Sequence, residues 1–175
     1  LAEEPAPLPG EEPEDYALRM AAMKAAEVAA RFPHSVVLAA DTVVAIDHHV
    51  LGKPTDRADA LRMLSLLAGR THLVVTGCAL HAPGQPPHLF AAHTNVTMLD
   101  PGPEVLAAYA ASGEPDDKAG AYAIQGQGAF LVRHVEGSYT NVVGLPLARV
   151  VRLLRELGVV VPAGDRDDSG PGAAP

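Results

Sequence analysis

A single carboxylate stands inside the apolar stretch "AADTVVAIDHHVLGKPT", residues 39–55: Asp41, with Ala40 before it and Thr42, Val43 and Val44 after it. An ionised carboxylate among strand-forming residues is costly unless a cation, a metal or several donors meet it, and positions that keep such a cost are often functional. The local alternative is a turn-forming Asp that caps backbone between two strands. The same stretch ends in Gly52-Lys53-Pro54-Thr55, which invites a phosphate-loop reading. That motif needs a glycine five residues before the Gly-Lys pair, where this chain has Asp47, and Pro54 has no backbone N–H to give a phosphate. "GQG" at 126–128 lacks the third glycine of a dinucleotide fingerprint and precedes a strand pattern. The eight histidines include no H-E-x-x-H and no cysteine partner at zinc-ligand spacing, and His48 and His49 fall in an expected exposed turn. What remains are a few placed groups. Lys24, Lys53 and Lys118 could hold an anion or simply be solvated, and the amide of Gln125 could read a ligand or satisfy loop backbone.

These residues need elements to carry them. "EDYALRMAAMKAAEVAAR", from Glu14 to Arg31, reads as an alanine-rich helix with Pro13 just before it and Lys24 within it. "SVVLAADTVVAI" reads as one strand, or as two broken near Asp41. A second helix begins at Asp56 and Asp59, carries Ala60, Leu64, Leu67 and Ala68 at helical spacing, and stops at Gly69. "THLVVTGCAL" and "HLFAAHTNVTML" alternate as strands around the turn-rich "HAPGQPP", a hairpin pattern. A short helix from Glu104 to Ser112 leads into the glycine-punctuated loop that carries Asp117, Lys118 and Gln125. "AFLVRHVEGSYTNVV" then reads as a strand and turn, and a last helix runs from about Pro146 to Leu157. This order implies an α/β or α+β fold: a twisted sheet of mixed strand directions flanked by helices.

The chain has 175 residues, 48% of them hydrophobic, enough for one sizeable core. Residues 1–13 and 161–175 are rich in Pro, Gly, Ala and acid, with too little apolar surface to offset ordering entropy, leaving residues 14–160 as the expected domain. Net charge is -8 and no Lys/Arg run occurs, which argues against a nucleic-acid partner. One cysteine, no long apolar span and no presequence point to a reducing, cytoplasmic setting without a membrane.

Together "ADTVV" at 40–44, "LGKP" at 51–54, the segment from Met63 to Gly77, "SGEPDDKAGAYAIQGQGA" at 112–129 and "GSYTNVVGLPL" at 137–147 resemble the Maf family of nucleotide pyrophosphatases, related in fold to the inosine triphosphate pyrophosphatases. The resemblance implies a central cleft in which a nucleoside triphosphate is hydrolysed to the monophosphate and pyrophosphate with Mg²⁺ or Mn²⁺. Asp41 matches the family's proton acceptor, with the divalent ion beside it. Lys24 and Lys53 match basic positions of the pocket, Glu4 an active-site glutamate that helps hold metal, and Asp117 and Lys118 a polar pair facing the cleft. Thr42 and Gln125, within "ADT" and "IQG", resemble the members acting on dTTP and UTP; those favouring N7-methyl-GTP typically carry Gln after the Asp and a "SEG"-like segment. The family commonly forms dimers, so a homodimer is a further expectation. Family members open with a strand and an "S-x-S-P-R-R" phosphate cradle that has no counterpart before Glu3. Together with an opening Leu in place of Met, this raises the expectation of a truncated chain or of a catalytically impaired, nucleotide-binding regulator of septum formation.

Overall fold

The computed structural model of the chain describes residues 4–47 and 49–163, so His48 and most of the expected tail, 164–175, lie outside the described residues. Helix α1, Pro13–Arg31, starts with proline in its first turn beside Glu14 and Asp15 and ends on Arg31, an order that suits the helix dipole at both ends. Strand β1, Val37–Ile46, continues without a break through Asp41, which pairs with Gly77. The alternative of a turn at Asp41 therefore falls. A tight return at Asp47, whose φ of 52 is left-handed, leads into β2, His49–Leu51, so His49 lies in a strand rather than a turn. Helix α2, Arg57–Leu67, is capped by Asp56, whose carboxylate accepts from the Asp59 N–H at 2.8 Å. The hairpin of β3, Thr71–His81, and β4, His88–Met98, forms as the alternation predicts.

Helix α3, Pro103–Ala111, is followed by three-ten turns at Glu114–Asp117, Ala119–Ala121 and Gly126–Leu131, and then by β5, Val132–Glu136. The segment expected to be a plain turn after β5 holds a one-turn helix instead: α4, Tyr139–Val143, nucleated by the Ser138 side chain accepting from the Asn141 N–H. Helix α5, Leu147–Glu156, is the last regular element among the described residues.

The α/β reading of a sheet flanked by helices is correct in kind. The sheet has the order β2-β1-β3-β4-β5, and all four pairings are antiparallel where mixed directions were expected. The reason lies at the exit from β1. Its last residues pair with β2 on one side and with the first residues of β3 on the other, so the chain re-enters the sheet at the end it left.

Period-two alternation divides β1 between two cores. Val37, Ala39 and Val43 face α1, where Ala17, Ala21 and Ala25 meet Val75 and Ala79 of β3. Leu38, Ala40, Val44 and Ile46 face the opposite layer, where Leu64, Leu67, Leu106 and Leu131 form the larger core and Val150 of α5 closes on Cys78 and Phe90. Asp41 belongs by parity to the α1 face. Among the described residues no helix is long and apolar enough to cross a membrane.

Candidate active site

Helix α1 lies unusually close to the sheet at Gly77, the cross-strand partner of Asp41: a β-carbon there would collide with the backbone of Ala17. The small-residue face of α1 and this glycine together seat the helix low enough for Lys24 to reach across to the strand. The Lys24 Nζ donates to Asp41 Oδ1 at 2.6 Å and forms a second ion pair with Glu4 Oε1, also at 2.6 Å. The cation that an apolar strand must supply to its carboxylate is therefore Lys24.

Glu4 arrives from outside the sheet. Residues 4–12 run against α1 as a strap, fastened where Arg19 grips the Glu11 carboxylate through Nε and Nη2 at 2.7 Å each. The Tyr16 hydroxyl donates to Pro5 O at 3.2 Å and Arg19 Nη2 to Ala6 O at 3.3 Å, which fixes the chain just beyond Glu4.

Electrostatics follow the geometry. Burial pushes the Asp41 carboxyl above its ordinary value, and Lys24 opposes that rise only in part. Glu4, more exposed, is lowered chiefly by its hydrogen bond from Lys24. Lys24 loses hydration, but the two carboxylates outweigh this and its pKa rises. The three groups form a charged string, with the ammonium holding both acids.

Around it opens a cleft of about 320 Å³, lined by Glu4, Lys24, Asp41 and Thr42 on one side and by Lys53, Asp117, Lys118 and Gln125 on another. All eight residues singled out in the sequence thus converge. The Gly120 N–H donates to Gly52 O at 3.0 Å, tying the Gly-Lys loop to the loop after α3 and bringing Lys53 alongside the ion-paired Asp117 and Lys118. The Thr42 hydroxyl is hydrogen-bonded at 2.8 Å to that of Thr76, its cross-strand partner on β3.

Several residues of the site escaped sequence reasoning. Tyr122 lines the cleft and is anchored from behind by His72, whose Nε2 lies 2.8 Å from the phenol oxygen; burial pushes His72 down to about 4. Asn141, fully buried, donates its side-chain amide to Val74 O and to Thr94 Oγ1, and its backbone carbonyl accepts from the Thr76 hydroxyl, so α4 is pinned under the sheet beside the Thr42 pair. Only the separation of these partners in sequence hid them; no local pattern links residue 72 to 122 or 74 to 141.

The arrangement can do polyanion chemistry: a strand carboxylate held by one ammonium, with the further cations Lys53 and Lys118 and the amide of Gln125 lining the same cleft. It has clear parallels among known proteins. A family model described as "Maf-like protein" matches residues 1–157. The dTTP/UTP pyrophosphatase of Nitratidesulfovibrio vulgaris is 55% identical over 157 residues, covering 90% of this chain and 75% of the relative. That of Oleidesulfovibrio alaskensis is 48% identical over 176 residues, 99% of this chain and 80% of the relative, and that of Koribacter versatilis 48% over 162 residues, 90% and 83%. With the motifs in register, the site assembled, and identity of this level over nearly the whole chain, the protein belongs to the Maf family.

Proposed function

We propose that the chain is a nucleoside triphosphate pyrophosphatase that hydrolyses dTTP and UTP to the monophosphate and pyrophosphate. The observation that carries this reading is Asp41, in mid-strand, with one oxygen held by Lys24 at 2.6 Å and facing a cleft large enough for a nucleotide. The relatives named dTTP/UTP pyrophosphatase support the substrate class.

In this reading a water attacks the α-phosphorus, the bond from that phosphorus to the bridging oxygen breaks, and pyrophosphate leaves. Asp41 takes the water's proton on Oδ2, because Oδ1 is already committed to Lys24. Lys24 and Lys53 offset charge that grows on the leaving pyrophosphate, which two placed cations achieve without a basic surface. Lys118 and Asp117 border the same path, and Gln125 presents an amide that can pair with both a donor and an acceptor on a pyrimidine edge.

Glu4 and Asp41, each with one oxygen held by Lys24, keep a second carboxylate oxygen at the cleft, and these hard donors would hold Mg²⁺ or Mn²⁺ entering with the triphosphate. Such an ion, when bound, supplies Lewis acidity toward the phosphoryl oxygens.

The test is pyrophosphate release with Mg²⁺ or Mn²⁺ across dTTP, UTP, CTP, GTP and N7-methyl-GTP. Release favouring dTTP and UTP is expected. Preference for N7-methyl-GTP, or binding without release by the folded chain, would overturn the assignment.

A further inference from the structure

Gln125 poses a problem of its own. Rotating its amide by half a turn exchanges donor for acceptor, so a loosely held glutamine pairs equally well with the edge of uracil and with that of cytosine. How far and at what angle that amide meets the base edge is set by the backbone behind it.

The structure holds it from outside the cleft. Glu114, which does not line the cleft, lays its carboxylate across the start of the next three-ten turn: Oε1 accepts from the Gln127 N–H at 2.8 Å and Oε2 from the Gly128 N–H at 2.7 Å. Oε2 also accepts from the Tyr109 hydroxyl of α3 at 2.8 Å, and that same hydroxyl accepts from the Ala123 N–H at 3.1 Å. Residues 123 and 127–128 are thereby fastened to one carboxylate–phenol pair, and Ala123, Ile124 and Gln125 span the interval facing the cleft. The fit leaves no room for side chains. A β-carbon on Gly126, whose φ is +74, would strike Glu114 Oε1, and one on Gly128 would strike the Tyr109 hydroxyl. The glycines of "GQG" serve this close approach rather than a phosphate.

We infer that Glu114 is a positioning residue for substrate selection: its latch on Ala123–Gly128 sets the stance of Gln125 and so the preference for uracil and thymine over cytosine. The inference rests on the pyrimidine reading above. It separates selectivity from chemistry, because Asp41 and Lys24 stand on β1 and α1, elements the latch does not touch.

Glu114→Gln is the discriminating variant. Whichever oxygen becomes an NH₂, it then faces a backbone N–H, so at least one fastening is lost with little change in shape. The expected result is a fall of about tenfold in the UTP-over-CTP ratio of kcat/KM. The kcat for UTP should stay within a few-fold of wild type, and amide exchange at Gln127 and Gly128 should accelerate. In a Gln125→Ala background the same substitution should leave the ratio unchanged, because the residue it acts through is gone. Tyr109→Phe, which removes only the shared hydroxyl, is expected to lower the ratio in the same direction and serves if Glu114→Gln does not fold. A wild-type chain with no UTP preference would overturn the pyrimidine reading and this inference with it. A wild-type preference that survives intact in the folded variants would overturn the inference alone.

Discussion

The proposed role of Asp41 as the base rests on where the strand places it. Burial raises its pKa above that of an exposed aspartate, which makes it a stronger proton acceptor, and the Lys24 ammonium beside it works against that rise. Asp41→Asn keeps the shape and removes the proton acceptor, so kcat for dTTP should fall by about 10²–10⁴-fold with KM little changed. In the wild type, kcat/KM should decline as pH falls through the raised Asp41 value, because the protonated acid cannot take a proton. That acid limb should be absent from the residual activity of the variant; steady-state rates across pH check both statements.

At the scale of elements, the site depends on how closely α1 rides the sheet. Gly77→Ala pushes a methyl group against the Ala17 backbone and must lift the helix. A cost of about 1–3 kcal/mol is expected, read from chemical denaturation. Turnover should fall as well, because the same lift withdraws Lys24 from Asp41. The strap is a second such element. Arg19→Ala releases Glu11 and the backbone of Ala6, so Glu4 is no longer delivered to Lys24. The expected outcome is a several-fold rise in the Mg²⁺ or Mn²⁺ concentration needed for half-maximal rate, with Glu4→Gln behaving alike. A metal titration in which Arg19→Ala matches wild type would refute the strap's role.

Across the whole molecule, pH acts on stability through groups that folding depresses. His72 is buried and held neutral, lowered to about 4 from 6.5. Between those values the unfolded chain binds a proton that the folded chain refuses, so stability is complete above about pH 6.5 and is lost as pH falls toward 4, by roughly 3 kcal/mol. Glu4, Glu114, Asp59 and Asp117, also depressed, extend the loss below their ordinary carboxylate values. Asp41, shifted upward, contributes in the opposite sense, its share being lost as pH rises. Thermal melts from pH 7 to 4.5 should show a falling Tm, and His72→Gln should flatten the part between 6.5 and 4.

Much of this architecture was legible in the chain itself because its signals are local. Proline and acids opening α1, Asp56 capping α2, alternation in β3 and β4, and glycines closing helices each act over a few residues, and the motifs carrying Asp41, Lys53 and Gln125 read directly as a family resemblance. What local pattern could not decide was direction and partnership. Strand order, and with it the all-antiparallel sheet, depends on where the chain re-enters after α2. Whether Asp41 caps a turn or meets a cation depends on a helix seated over a glycine 36 residues further on. The links from His72 to Tyr122, from Asn141 to Val74 and from Glu114 to Gly128 form only once distant segments are packed, since a hydrogen bond fixes where two groups meet in space and leaves no period in sequence. Sequence by itself determined which chemistry the chain carries and on which elements. Tertiary structure alone decided which groups hold those elements still, because burial and distance exist only in the folded state.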